Sequence, residues 1–224
     1  MYRAGFDYSW QEASFAVADE AGNVLLEEYR SFPPRNASGL PDWIFSLLKE
    51  RGITPEEITH WSVGTGPGSF TGLRVAASFV MGLCFGREKI IRRGVSTASA
   101  MADSLFPDAA PENVMVLFDG HRDELLGYGL QWTEQGFVPS GFHGVLGKDS
   151  LEELAPCGAL LCLEKDVEKV RSVAASAVEG KLHTVRHVCA SRLIFNRMGE
   201  CAPLTEVVYL RPAVFVDARI PRSL

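Results

Sequence analysis

The sequence predicts an α/β protein built from two similar halves. Three observations carry this. A short apolar segment ending in Phe-Asp opens the chain and recurs at residues 114–119. Each copy is followed by two strand-like runs separated by a glycine-containing turn. Runs with helical spacing then alternate with further strand-like segments.

The elements follow in order. Residues 2–6 are apolar and stop at Asp7. In residues 12–18, Ala13, Phe15 and Val17 alternate with their neighbours, the period of a strand. Gly22-Asn23 tolerates a turn, and residues 24–29 return as the next strand. Trp43, Ile44, Leu47 and Leu48 recur at helical spacing, with Gly52 placed as a C-terminal cap. Thr54-Pro55-Glu56-Glu57 has the composition of a helix start, with Thr54 as N-cap and Pro55 at the first position. Residues 61–63 read as a short strand feeding a glycine-rich loop. Residues 73–85 read as a helix, residues 90–95 as a strand, and Ser96 as the cap of a helix running to about Phe106. In the second half, residues 114–118 lead to Asp119 and residues 125–131 form the next strand. Glu134-Gln135-Gly136 turns, and Phe137-Val138 starts the return. Residues 181–188, rich in Val and Thr, read as a late strand. Such halves, each opening with a meander, resemble the actin-like, sugar-kinase-like ATPase (ribonuclease H-like) fold. Two small domains are expected, 1–107 and 108–224, with the break near the prolines Pro107 and Pro111.

Composition narrows the function classes. The net charge is -6, and no dense basic patch is visible, so a chain that grips nucleic acid by itself is disfavoured. The five cysteines are irregularly spaced without C-x-x-C, which points to free thiols and a cytoplasmic setting. The N-terminus lacks a basic-then-apolar signal pattern, and the longest apolar run, residues 75–85, is too short to span a membrane.

The strongest motif is Gly64-Thr65-Gly66-Pro67-Gly68-Ser69, continued by Phe70-Thr71-Gly72-Leu73-Arg74. A strand, a glycine loop and a helix start make a ready anion site, because free N–H groups converge there. The loop is neither a Walker A loop, since no Gly-Lys-Ser/Thr follows, nor the dinucleotide fingerprint, since Phe70 takes the third glycine position. A phosphate cradle and a tight turn without ligand both fit the pattern.

As a string, GTGPGSFTGLR resembles the signature of the TsaB (YeaZ) family. Phe6-Asp7-Tyr8-Ser9 resembles that family's opening strand and loop, and Val208-Tyr209-Leu210-Arg211-Pro212 its C-terminal tyrosine-leucine-arginine motif. The resemblance is strong over 1–105 and again near 205–212. Two departures stand out. Tyr8 takes the place of a threonine, and Asn36-Ala37-Ser38-Gly39 stands where a His-Ser-Glu element is usual.

The resemblance implies a non-catalytic partner subunit in the formation of N6-threonylcarbamoyladenosine at position 37 of tRNA. It implies a TsaD-type catalytic subunit and a TsaE-type ATPase as partners, a homodimer through the same surface, and tRNA contact only through the complex. It implies no cofactor of the chain's own, with ATP and Mg at the level of the complex. Asp7, Ser9 and Asp119 would mark a degenerate phosphate site. The expected partner seam is Gly72, Leu73, Ala76, Ala77, Val80, Met81 and Gly82, small residues interleaved with apolar ones. An arginine at Ala76 or Ala77 would then abolish pairing and leave the chain folded.

Two further readings stay open. One is an ATP-dependent enzyme of the same fold, using Asp7, Ser9 and the glycine loop. The other is a metallopeptidase using His183 and His187. On a helix these histidines would share a face and hold a metal, whereas on a strand they sit about 13 Å apart. The polar cluster His121-Arg122-Asp123-Glu124 reads as turn residues. No catalytic residue and no metal site are assigned from the sequence.

Overall fold

The computed structural model describes residues 1–33, 37–108, 110–120, 123–196 and 203–210. The first sheet is formed by β1 (Tyr2–Asp7), β2 (Glu12–Asp19), β3 (Val24–Ser31), β4 (Ile58–Gly64) and β5 (Ile91–Val95). The second is formed by β6 (Asn113–Asp119), β7 (Leu125–Thr133), β8 (Gly136–Leu146), β9 (Ala159–Leu163) and β10 (Leu182–Val185). The first sheet runs in the order β3-β2-β1-β4-β5, and the second matches it strand for strand as β8-β7-β6-β9-β10. In both, three strands form an antiparallel meander and two more add in parallel. This is the duplicated actin-like fold.

Helices α1 (Leu40–Glu50) and α2 (Phe70–Leu83) bury their apolar stripes on the first sheet, where Phe6, Phe15, Trp61, Ile44 and Leu48 make the core. Helix α4 (Val167–Val178) covers the outer face of the second sheet through Val170 and Val173. The two remaining helices change sides. Helix α3 (Thr97–Leu105) leaves the first sheet and packs Ala98, Met101 and Ala102 against Val114, Val116 and Phe118 of the second. Helix α5 (Ala190–Phe195) leaves the second sheet and packs Ala190 and Ile194 on Ala16 and Ala18 of the first. Gly5 permits this approach, because a methyl group there would overlap the Ala190 carbonyl oxygen.

Arg93, on β5, fixes the C-terminal end of α5. Its guanidinium donates to the Leu193 carbonyl at 2.8 Å, to the Ile194 and Asn196 carbonyls, and to Ser62 Oγ at 2.7 Å. A cation among the last carbonyls of a helix satisfies acceptors that have no partner in the helix itself. Arg93→Met keeps the aliphatic stem and removes these donors. It is expected to lower the unfolding free energy by about 2 kcal/mol, read from urea denaturation.

Two predicted elements differ from the structure. Thr54-Pro55-Glu56-Glu57 does not start an α-helix. It forms one 3-10 turn, Pro55–Glu57, closed by Glu57 accepting from Thr54 N at 2.8 Å. The turn stops because β4 begins at the next residue and draws Ile58 into the sheet beside Tyr2. The strand predicted at 61–63 accordingly starts earlier, at Ile58. No helix among the described residues is long and apolar enough to cross a membrane. The described cysteines, Cys84, Cys157, Cys162 and Cys189, are free thiols.

Candidate functional site: the glycine loop and its helix

The loop between β4 and α2 is folded around the chain's own opening turn. Gly64 leaves room for the Asp7 carboxylate, Gly68 for the backbone of Ser9, and Gly72 for the carbonyl of Tyr8; a Cβ at any of the three would overlap them. Ser69 N donates to the Ser9 carbonyl, and Ser69 Oγ caps α2 by accepting from Gly72 N at 3.3 Å. Gly66 takes φ 101°, which favours glycine, and it lies beside the Val208 carbonyl. The space a phosphate would need against these glycines is taken by residues 7–9.

Asp7 is buried at the centre of this arrangement. Its Oδ1 accepts from Ser9 N at 2.8 Å. Its Oδ2 accepts from Ser9 Oγ at 2.8 Å and from Thr97 Oγ1 at 2.7 Å, and the two hydroxyl oxygens lie 2.7 Å from each other. Thr97 opens α3, so the cluster ties β1, the glycine loop and the crossing helix together. Burial pushes the Asp7 carboxyl up from its ordinary value of 3.8, against the lowering effect of the Ser9 and Thr97 hydrogen bonds.

The sign of the pH effect follows. The folded state holds the Asp7 proton more tightly than the unfolded chain does. The stability this confers is complete below 3.8 and is lost as pH rises through the folded pKa. Asp7→Asn keeps an acceptor for Ser9 N and a donor for the hydroxyls, and it cannot ionise. The stability of the variant relative to the parent is therefore expected to rise as pH increases from the ordinary carboxylate value of 3.8 toward the raised folded pKa, measured by urea unfolding at each pH.

The C-terminal motif returns to the same place. Val208 N donates to the Thr65 carbonyl at 2.7 Å, Arg74 Nε donates to the Tyr209 hydroxyl at 3.2 Å, and the Tyr209 and Phe70 rings lie 5.0 Å apart. The Arg74 guanidinium sits 3.6 Å over the Phe70 ring. Glycine loop, opening turn and residues 208–210 form one packed unit, although they come from three distant parts of the chain.

A family model described as TsaD, tRNA N6-adenosine threonylcarbamoyltransferase, matches residues 35–135. A Haemophilus influenzae protein named tRNA threonylcarbamoyladenosine biosynthesis protein TsaB is 34% identical over 82 residues, 37% of this chain and 34% of that relative. The Escherichia coli protein of the same name is 28% identical over 135 residues, 57% of this chain and 56% of that relative. A Pseudomonas aeruginosa structure described as similar to peptidase YeaZ superposes with a TM-score of 0.70 at 23% identity, covering 94% of this chain and 99% of its own. The chain is similar to proteins of the TsaB (YeaZ) family. It spans about half or less of the length of these curated relatives.

The packing places most of the expected partner seam inside the chain. Gly72, Leu73, Ala76, Ala77 and Val80 are buried, forming the face of α2 turned toward the chain's own interior. Of the seven expected residues only Met81 and Gly82 are exposed. The outward stripe of α2 is Ser78, Met81 and Gly82, and exposed Phe85 follows in the turn just past the helix end. The sequence did not separate the two faces because both carry small and apolar residues. Arginine at Ala76, which is fully buried, would now unfold the chain instead of merely blocking a partner.

Asp119 ends β6 as Asp7 ends β1, but it is only half buried and lies near Asp166. Asp166 is itself pushed up, mostly by burial. His183 packs edge-on against Phe106, while His187 meets Glu12 at 2.7 Å and stacks on Tyr29. The two imidazoles thus serve separate contacts. Residues Asn36, His121, Arg122, Arg211 and Pro212, singled out in the sequence, lie outside the described residues. Thr97 and Tyr29 were missed by the sequence reading.

Proposed function

We propose that this chain is the non-catalytic partner subunit in formation of N6-threonylcarbamoyladenosine at position 37 of tRNA, docking on a TsaD-type subunit. The observation that carries this is the occupied glycine loop. Residues 7–9 fill the space behind Gly64, Gly68 and Gly72, so the loop serves to anchor α2. A firmly anchored helix with an apolar outer stripe is suited to docking. Met81 is 44% exposed and Phe85 88%, and Phe45 on the neighbouring α1 is 39% exposed beside Phe79. Small residues Ser78 and Gly82 between them let a partner helix approach closely. Two curated relatives bear the name of this biosynthetic step, which gives the docking surface its context.

The same stripe would serve a homodimer when the catalytic subunit is absent, and a TsaE-type ATPase would join the assembled pair. A net charge of -6 leaves tRNA contact to the partner. No nucleotide site of the chain's own is part of this reading, and ATP and Mg enter at the level of the complex. The test is co-purification with the TsaD-type subunit of the same organism, followed by size exclusion with light scattering. A stable one-to-one complex is expected. A folded chain that forms none with a competent partner would overturn the proposal.

A further inference from the structure

The two halves face each other across a cleft of about 280 Å³. One wall belongs to the first half. Strand alternation puts Glu12, Ser14, Ala16 and Ala18 on one face of β2, and the last two lie under α5. Glu12 and Ser14 continue that face into the cleft, with Trp10 beside them. The opposite wall is the chain leaving β9 and β10, which brings Lys165, Arg186 and His187.

Two polar atoms in this lining have no partner. The Ser14 hydroxyl is buried without a hydrogen bond, although the residue is only 2% exposed, and the Trp10 indole N–H is likewise buried and unpaired. Leaving such groups unmatched is costly, and a ligand oxygen that accepts from them removes the cost. The cleft lining carries two cations, Lys165 and Arg186, together with the acids Glu12 and Glu164. Glu12 is engaged by His187 at 2.7 Å. Lys165 and Arg186 are both exposed, with Glu164 beside them. The volume lies just below the ~300–1,000 Å³ usual for ligand pockets. It suits a small acid better than a nucleotide. Asp7 and Ser9 of the expected phosphate site take no part in this lining.

We propose that this cleft binds a small organic acid. Its single oxyanion, carboxylate or phosphate, meets Lys165 and Arg186 at the mouth, and a second oxygen accepts from Ser14 and Trp10 at the floor. Trp10 also stacks on Phe118, with ring centroids 5.0 Å apart, so the ligand touches a side chain that bridges the halves.

The full chain is titrated with sodium glycolate and, separately, with inorganic phosphate, each against chloride at equal ionic strength. Thermal unfolding and tryptophan emission are read together. A saturable rise in midpoint with a change in emission is expected, and the anion that produces it separates a carboxylate source from a phosphate source. The double variant Lys165→Ala/Arg186→Ala, altered only at exposed positions, should unfold as the parent does without ligand and bind roughly tenfold more weakly or worse. Ser14→Ala removes the unpaired hydroxyl, so its free form should be at least as stable as the parent while its binding weakens. Absence of a saturable shift with either anion would overturn the proposal. So would a shift that both variants leave unchanged.

Discussion

Gly72→Ala is expected to lower the unfolding free energy by about 3 kcal/mol, while Gly82→Ala in the same helix is expected to raise it by about 0.5–1 kcal/mol. In an unconstrained helix, alanine is the better residue at both positions. At Gly82 the ordinary preference holds, because a methyl group there meets nothing within 4 Å. At Gly72 the methyl group would overlap the Tyr8 carbonyl oxygen, a backbone atom that cannot rotate aside. To admit it, α2 must lift away from the opening turn. That weakens the Ser69 contact with Ser9 and the fit of Gly68 against the same residue. Urea denaturation of the two variants gives the answer directly. Equal and stabilising effects at both positions would mean that the glycine loop is not packed on residues 7–9.

The second large effect lies on the other face of α2. Met81→Asp combined with Phe85→Asp is expected to weaken binding of the TsaD-type subunit by roughly 100-fold or more, the scale of losing the central apolar anchors of an interface. Both side chains are exposed in the isolated chain, so its unfolding midpoint should move little. Ala76→Arg is the opposite case: its target is fully buried, and the chain itself should fail to fold. Light scattering of the mixed proteins, with thermal unfolding of each variant alone, separates the two. Full retention of the complex by the aspartate variant would remove the outer stripe from the interface.

The meander that opens each half was readable because each half repeats a local pattern. Phe6-Asp7 and Phe118-Asp119 close matching strands, and the meanders after them alternate visibly. The glycine loop was readable as a string, but its purpose was not. Gly64, Gly68 and Gly72 are explained by residues 7–9, more than fifty positions away, and nothing local announces that pairing. Thr97 escaped for the same reason, joining Asp7 across 90 positions. Which face of α2 is buried was not legible because apolar and small residues surround the helix, so periodicity alone gave no direction. The stretch from 139 to 180 stayed unread. Its strand β9, Ala-Leu-Leu-Cys-Leu, is a five-residue apolar run without alternation, buried along its whole length.

Each sheet depends on a helix that the other half supplies, since α3 covers the second sheet and α5 the first. A chain cut between residues 105 and 113 would therefore give two fragments, each with an uncovered sheet face and a stranded helix. Such fragments are incomplete alone and complementary together. The crossing helices couple the halves into one cooperative unit, and through Thr97 and Gly5 that coupling runs from the opening strand to α3 and α5.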